Sequence, residues 1–378
     1  EAAFARLKAA QTDYNKALES GNQAEKGHGW VNPNPMVGAV LVKDGRIIGE
    51  GYHTRYGQLH AEREAFKNAA ERGEETAGAD LYVTLEPCCH TGKQPPCTEA
   101  VLASGVKRVI VGCTDPNPVV AGRGIRLLRE KGLEVVAGVL RGECERQNEV
   151  FFHFMRTKLP FTVLKYAMTL DGKTATVLGK SQWITGEAAR KRVHEDRGRY
   201  MAILTGVSTV LADNPQLTCR IPGGKNPIRV IADTKLRTPL SSTVVQTARE
   251  TPTWIVTAVS DAGRKKAYED AGCRVLSVPA KEGELDLQAM MQRLGEEKVD
   301  SVMVESGGTL AWSFLKAGLV NRVQAYIAPK IFGGAGAPTP VRGTGVDAPP
   351  EAFLLKKPEA VWLGEDLLLE YEVSGQDA

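Results

Sequence analysis

The segment LEPCCHTGKQPPC, residues 85–97, places three cysteines and one histidine together in a chain that has only seven cysteines. Upstream of it, His60 is followed two positions later by Glu62, in the order H-A-E. One imidazole and two thiolates can hold Zn²⁺ and leave the fourth tetrahedral position for water. Such a metal lowers the pKa of its water towards ~7, and a nearby carboxylate can then move protons. These residue types therefore indicate metal-assisted hydrolysis.

The ligands of this metal follow from the order of the motif. H-x-E…P-C is the order of zinc-dependent base deaminases, whose usual P-C-x-x-C would put the third ligand at Thr91. The next cysteine after that position is Cys97, and Cys89 is expected to be a bystander because adjacent side chains rarely bind one tetrahedral metal. We predict one zinc ion per chain, with Glu62 as the catalytic group. The predicted ligands are His60, Cys88 and Cys97.

Three other interpretations of this segment stay open at the level of sequence. His90 is a competing ligand for the same ion. A closed zinc site that only staples a loop would need a fourth protein ligand and would make the H-A-E glutamate a coincidence. A disulfide between Cys88 and Cys97 is the third possibility, and it fits a reducing compartment poorly.

Composition narrows the class of protein. Seven cysteines is an odd number, and four of them stand singly, so a disulfide framework is not expected and a cytoplasmic location is. The net charge is +3 and aromatic residues are 6%, which argues against a dedicated nucleic-acid binder. No apolar run is long enough to cross a bilayer, and the first residues lack the apolar core of a signal peptide.

The chain is long for one compact core, so we predict two α/β domains, residues 1–156 and 157–378. In the first, a hairpin around Asp44-Gly45 precedes strands and helices in alternation, which predicts a mixed sheet covered by helices on both faces. One helix is expected over 143–157. The second domain restarts after Pro160 with a longer α/β alternation, and its last strand, in DLLLEYEV, follows a turn at Gly364 and predicts a terminal antiparallel hairpin.

The second domain has no G-x-G-x-x-G after a strand, so an ordinary dinucleotide-binding fingerprint is absent. Instead, a buried strand leads into Ser306-Gly307-Gly308-Thr309 and a helix. Glycines at a helix N-terminus let phosphate oxygens approach backbone N–H groups. A bare strand-turn-helix connection would also explain this segment. Asp233 after a strand resembles a ribose-binding acid, but that rule belongs to a different fold.

The first half resembles a known family. NPNPMVGAVLVKDGRIIGEGYH, HAE, YVTLEPCCHTGKQPPC and DPNPVVAGRG are similar to the deaminase half of the bifunctional RibD (RibG) proteins of riboflavin biosynthesis, from about residue 30 to 155. The resemblance implies a cytidine-deaminase-like α/β/α domain, and in that family the two zinc cysteines are separated by this longer loop. It also implies substrate-binding roles for Asn34, His53, His90, Lys93, Asp115 and Asn117. Turn chemistry is the alternative reading of Asn34 and Asn117, because both precede proline.

LKYAMTLDGKTA, SQWITGEAAR, AILTGVSTVLADNPQLTCR, the S-G-G turn and YIAPKIFGG resemble the reductase half of the same proteins, from about residue 160 to 375. The resemblance implies a dihydrofolate-reductase-like α/β domain that uses NADPH. It implies contacts with the sugar phosphate for Lys165, Ser181, Arg197, Leu217, Arg220 and Glu305. It implies contacts with the dinucleotide for Ala167, Trp183, Thr209, Asp213, Thr234, Gly307, Gly308 and Thr309.

The implied function is a two-step enzyme acting on a small phosphorylated pyrimidine, without nucleic-acid or membrane partners and with self-association left open. The expected reactions are removal of the 2-amino group of 2,5-diamino-6-ribosylamino-4(3H)-pyrimidinone 5′-phosphate and reduction of its ribosyl group to ribityl by NADPH. A nucleic-acid-editing deaminase would need a basic channel with many aromatic residues. A non-catalytic nucleotide-binding protein would not need an intact H-A-E, both ligand cysteines and the S-G-G turn.

Overall fold

The computed structural model describes residues 2–92 and 94–374, with side chains from residue 11 onward. The chain divides between Arg156 and Thr157 into two compact units. In the ranges that the structure describes, no helix combines the length and the apolar character needed to span a membrane.

The first unit is built on a mixed five-stranded sheet with the strand order β2-β1-β3-β4-β5. Strands β1 to β3 pair antiparallel, and β3, β4 and β5 run parallel. The elements are α1 (Ala2–Glu25), β1 (Gly38–Lys43), β2 (Arg46–Tyr52), α2 (Ala61–Glu71), β3 (Asp80–Leu85), α3 (Cys97–Ala103), β4 (Arg108–Cys113), α4 (Arg123–Glu130), β5 (Glu134–Ala137), α5 (Arg141–Gln147) and α6 (Glu149–Thr157).

Alternate residues of the strands fill two separate cores. Leu41 and Leu81 point to the face that packs against α2, α3 and α4. Val40 and Tyr82, their neighbours in sequence, point to the opposite face, where Ala17 of α1 packs. This alternation is the period of a strand buried on both sides. The prediction of a mixed sheet with helices on both faces is therefore confirmed.

The β1–β2 hairpin forms where the sequence predicts it. Asp44 and Gly45 adopt φ values of 52° and 78°, and Lys43 pairs with Arg46 across the two-residue turn. Both central residues lie in the left-handed region that a tight hairpin turn of this twist requires, and the Asp-Gly pair tolerates it. The turn sets the pairs Lys43–Arg46 and Val42–Ile47, and the register shifts by one residue between Val42 and Leu41.

The helix expected over 143–157 is wrong as a single element, because it breaks into α5 and α6 at Asn148. The Asn148 side chain accepts a hydrogen bond from Met36 N and donates one to Met36 O, both at 2.8 Å. This pair of bonds to a distant segment holds the residue at φ −109° and ψ 23°, outside regular helix geometry.

The second unit contains a nine-stranded sheet with the order β10-β9-β8-β7-β13-β6-β14-β16-β15. Its elements are β6 (Phe161–Thr169), α7 (Glu187–Arg199), β7 (Ala202–Gly206), α8 (Val207–Asp213), β8 (Ile228–Ala232), α9 (Thr243–Gln246), β9 (Thr253–Thr257), α10 (Ala262–Asp270), β10 (Arg274–Ser277), β11 (Ala280–Lys281), β12 (Glu284–Leu285), α11 (Leu287–Glu296), β13 (Ser301–Val304), α12 (Gly308–Lys316), β14 (Arg322–Ala328), a 3₁₀ turn (Pro349–Glu351), β15 (Leu355–Leu363) and β16 (Asp366–Val373).

The direction of the chain across this sheet reverses beside β13. From β6 the chain passes to β7 and continues outward to β10, then returns to insert β13 between β7 and β6. These strands run parallel, so their carboxyl ends meet along one edge. Ligand sites of open α/β sheets lie at such points. The terminal antiparallel hairpin, β15–β16, is confirmed.

Candidate functional site

Three side chains of the first unit bring metal-binding atoms together. His60 stands immediately before α2, Cys88 follows β3, and Cys97 opens α3. His60 Nδ1 lies 3.5 Å from Cys88 Sγ and 3.3 Å from Cys97 Sγ, and the three ligand atoms all lie within 4.8 Å of one another. Tetrahedral zinc with one nitrogen and two sulfur ligands requires nitrogen–sulfur separations of about 3.6 Å. The donor set therefore fits zinc.

The geometry of the cluster bears on His90 as a competing ligand and on a disulfide between Cys88 and Cys97. Among the described residues, Cys89 and His90 do not belong to the group of converging ligand atoms. All seven cysteines are free thiols, so a disulfide between Cys88 and Cys97 is wrong. Hydrogen bonds with Cys97 and His60 lower the pKa of the Cys88 thiol. The thiolate, the form that binds metal, is thus favoured at Cys88.

Glu62 lies beside the cluster in the first turn of α2. Its side chain is buried. Burial first, and then the negative charge of Cys88, raise the pKa of its carboxyl group. A carboxyl group whose pKa is moved towards neutral pH can both accept and return a proton. The position and environment of Glu62 suit a proton carrier.

Asn34 and His53 form a hydrogen-bonded pair on the same side of the unit. His53 Nδ1 lies 2.9 Å from Leu59 O, so this nitrogen carries the proton and donates it to the carbonyl. His53 Nε2 is then an acceptor, and Asn34 Nδ2 donates to it over 3.1 Å. The rings of His53 and His60 are 5.4 Å apart. The bond fixes the Asn34 amide with its oxygen available as an acceptor.

The loop after β4 carries the next predicted residues. Asp115 Oδ1 accepts from Asn117 N at 2.8 Å, and Asn117 Oδ1 accepts from Val119 N at 3.1 Å. Turn chemistry therefore occupies the Asn117 oxygen, while its amide nitrogen is left as a donor. Burial, followed by the charge of Glu86, raises the pKa of Asp115 to about 6. The charge of His90 acts in the opposite direction and lowers the pKa of Asp115. Lys93, the remaining predicted residue of this set, lies outside the described residues.

Arg63 is a residue of this site that the sequence analysis missed. Its Nη2 donates to the carbonyl oxygens of Pro95 and Pro96, at 3.3 Å and 3.0 Å. Arg63 thus ties the helix that carries Glu62 to the two residues before the ligand Cys97. The sequence carries no signal of this contact, because both acceptors are backbone carbonyls of a remote segment.

In the second unit, the predicted sugar-phosphate residues include a buried charge cluster. Arg197 Nε and Nη2 bind the two carboxylate oxygens of Glu305 at 2.8 Å and 2.9 Å, and Lys165 Nζ lies 3.4 Å from the same group. Burial raises the pKa of Glu305, but the two cations outweigh this effect and hold it at about 2. Arg197 also donates to Thr218 O at 3.1 Å, which anchors the loop after α8.

That loop presents two further predicted residues. Leu217 is buried and adopts φ 53°, and the turn exposes Arg220 three positions later. Burial, followed by the positive charge of Arg197, lowers the pKa of Arg220. Two guanidinium groups whose positive charges repel each other favour the binding of an anion between or beside them. Ser181 is half-buried in the connection before α7.

The predicted dinucleotide contacts lie on or after the carboxyl ends of neighbouring strands. Gly307 precedes α12 with open space around it, whereas a side chain at Gly308 would lie 2.7 Å from Thr339 O. Asp233, in contrast, is fully buried and accepts hydrogen bonds from Arg237 N and Thr238 N, so its role is structural. The other predicted contacts are Ala167 in β6, Trp183 before α7, Thr209 and Asp213 in α8, Thr234 after β8 and Thr309 in α12, and all of them stay predictions.

We expect Arg63→Met to weaken metal retention without unfolding the protein. The substitution keeps an apolar stem but removes the donor that fixes Pro95 and Pro96, and lost support behind metal ligands typically costs 10–100-fold in affinity. Zinc loss to a chelator, followed with a metal-sensitive dye, measures the effect. Lys67→Met, one turn further along the exposed side of α2, is the control. Equal rates of zinc loss from the two variants would contradict the bridging role.

We expect Glu305→Gln to destabilise the second unit by about 3–5 kcal/mol at pH 7, because it leaves Arg197 buried without its counter-charge. The folded pKa is below the ordinary value of 4.5, so the ion pair contributes fully above pH 4.5 and is lost as pH falls towards 2. Denaturant unfolding measures the difference in unfolding free energy between Glu305→Gln and the wild type. This difference should shrink as the pH falls from 7 to 3. A difference that is independent of pH would contradict this, and exposed Glu195→Gln is the control.

Each half of the chain matches a known protein family. Residues 160–369 match the family described as the RibD C-terminal domain, and residues 12–113 match the cytidine and deoxycytidylate deaminase zinc-binding region. The riboflavin biosynthesis protein RibD of Actinobacillus pleuropneumoniae is 49% identical over 93% of this chain and 92% of that protein. RibD of Bacillus amyloliquefaciens is 45% identical over 94% of each chain.

Solved structures agree over the full length. A diaminohydroxyphosphoribosylaminopyrimidine deaminase/5-amino-6-(5-phosphoribosylamino)uracil reductase from Thermotoga maritima is 38% identical and covers 97% of this chain and 99% of that chain, with a TM-score of 0.84. A RibD structure from Acinetobacter baumannii is 33% identical over 97% of this chain and all of that one, with a TM-score of 0.86. The chain therefore belongs to the RibD family and is a bifunctional deaminase and reductase of riboflavin biosynthesis, with zinc and NADPH as its cofactors.

Proposed function

We propose that the first unit removes the 2-amino group of 2,5-diamino-6-ribosylamino-4(3H)-pyrimidinone 5′-phosphate and that the second unit reduces the ribosyl group to ribityl. The observation that carries this proposal is the approach of His60, Cys88 and Cys97 beside the buried Glu62. The printed name of the Thermotoga maritima protein supports the choice of substrate.

His60, Cys88 and Cys97 would hold the zinc ion, which supplies a hydroxide equivalent at neutral pH when it is bound. Glu62 takes the proton of the attacking water and returns protons to the ring nitrogen and to the amine, which leaves as ammonia. Its raised pKa suits both steps. The fixed Asn34 oxygen, held by the bond to His53, accepts from an N–H of the pyrimidine.

When bound to the second unit, NADPH would supply the hydride for the reduction at C1′ of the opened ribose. The phosphate of the substrate binds to Arg220 and to the guanidinium group of Arg197, which is paired with Glu305. Lys165 Nζ lies 3.4 Å from Glu305 and 5.6 Å from the centroid of the Tyr326 ring. We propose that it bonds a ribose hydroxyl. Guanidinium forks match phosphate oxygens in geometry and charge.

The proposed partners are small molecules rather than nucleic acid or a membrane. The chain is nearly neutral in net charge, at +3 over 378 residues, and aromatic residues are only 6%. We also propose a cytoplasmic location, in keeping with the free thiols.

Glu62→Gln should abolish measurable deamination while zinc stays bound, because the amide has the same shape but cannot carry the protons. A loss of at least 10²–10⁴-fold in kcat is expected. Ammonia release and metal analysis are measured on the same preparation. Reduction of the already deaminated substrate by the same variant should be normal, which controls for folding. Deamination at the wild-type rate would contradict the proton relay.

Gly307→Ala and Gly308→Ala form a matched pair for the dinucleotide site. A methyl group at Gly307 meets nothing within 4 Å, so this variant should be as stable as the wild type and should raise KM for NADPH through contact with the bound cofactor alone. Gly308→Ala should lower the melting temperature, since its methyl group presses on Thr339 O and Arg342. An unchanged KM in Gly307→Ala would remove this turn from the site.

A further inference from the structure

Glu86 is a buried carboxylate at the end of β3, two positions before the ligand Cys88. Its Oε2 accepts hydrogen bonds from Gly122 N at 2.8 Å and Asp115 N at 3.3 Å. Its Oε1 accepts one from Ile125 N at 3.1 Å. Both oxygens therefore bind backbone N–H groups, and all three groups belong to the segment 115–125 that follows β4.

The start of α4 explains why this carboxylate is needed. The helix begins at Arg123, and the residue before it, Gly122, has φ 80° and no side chain with which to cap it. The first N–H groups of a helix lack partners within the helix, and an acceptor near them is stabilising, especially a negatively charged one. Glu86 supplies that acceptor from another strand.

A close backbone contact holds the same elements together. A side chain at Gly124 would collide with the carbonyl oxygen of Pro87 and lie 3.2 Å from Glu86 Oε1. Glu86 N donates to Cys113 O at 2.9 Å, at the ends of β3 and β4. The segment before the metal ligand and the start of α4 thus touch directly, with the Glu86 carboxylate beside the contact.

We propose that Glu86 is a positioning residue for deamination. It holds the loop 115–122, and with it Asp115 and Asn117, against the strand end that leads to Cys88. This inference rests on the proposed substrate contacts of Asp115 and Asn117. Glu86 itself does not belong to the converging metal-binding atoms, so its effect reaches the substrate through the loop.

Glutamine is the informative substitution at this position. Glu86→Gln preserves shape and volume, but its amide nitrogen replaces one acceptor with a donor that faces a backbone N–H. If Glu86 only filled space, Glu86→Gln would behave as the wild type. If its two acceptors hold the loop, the amide leaves at least one N–H of Asp115, Gly122 or Ile125 unpaired, and the loop loses its fixed position.

The experiment compares Glu86→Gln with Glu99→Gln in the full-length zinc-loaded protein. Glu99 is an exposed acid in the first turn of α3 and controls for loss of one negative charge. For Glu86→Gln we expect KM for the diaminopyrimidine to rise tenfold or more, kcat to change less than KM, and zinc content and reduction of the deaminated substrate to equal the wild type. An unchanged KM, or zinc loss with intact reduction, overturns the proposal.

Two further variants separate this inference from the proposed function. A wild-type KM in Asn117→Ala would refute the proposed substrate contact of Asn117. If Asn117→Ala raises KM but Glu86→Gln does not, the role of Glu86 is refuted and the substrate contact stands. The variant that combines Glu86→Gln with Asn117→Ala should raise KM by less than the product of the two single effects, because both substitutions act through one loop. If Glu86→Gln loses zinc and reduction together, Glu86→Asp replaces it. The shorter acid keeps the charge but withdraws the acceptors, so an unchanged KM overturns the proposal.

Discussion

The close packing of α2 on the β1–β2 hairpin is the constraint on which the metal centre depends. Side chains at Gly49 or Gly51 would collide with the backbone of α2 around Ala65, so helix and strand meet with no side chain between them. The fully buried Ala61 and Ala65 continue this contact along the helix. Such packing leaves little freedom for the helix to slide or rotate. The imidazole of His60 and the carboxyl of Glu62 are therefore placed by backbone contact.

The second unit positions its polar groups by a different physical means. Lys165, Arg197 and Glu305 come from β6, from α7 and from the residue after β13, and their mutual charges hold them together in a largely buried place. Removing charges from water is costly, and the cost is repaid only when geometry and further hydrogen bonds are good. The two bonds of Arg197 to Glu305 and its third bond to Thr218 O meet that condition. The cations of this cluster are thus already oriented.

The sequence could reveal the features that depend on neighbouring residues. The Asp44-Gly45 turn, the strand alternation and the terminal hairpin follow from local chemistry, and the ligand order H-A-E…P-C drew attention to the centre. The break at Asn148 could not be foreseen, because its cause is Met36, 112 positions away in the chain. Arg63 and Glu86 escaped notice for the same reason. Both bind backbone atoms of remote segments, and a sequence shows no side-chain partner for such a contact.

Hydrogen bonds within the first unit fix the orientation of several polar side chains near the metal-binding cluster. The proton on His53 Nδ1 is committed to Leu59 O, which makes Nε2 an acceptor and turns the Asn34 amide to one orientation. Asn117 has its oxygen committed to the turn at Val119 and so offers only a donor. In a ligand site, an acceptor and a donor of fixed sense discriminate against rings with the opposite pattern, because a mismatched ring leaves polar groups unpaired. The direction of each amide is thus set by the backbone groups that bind His53 and Asn117.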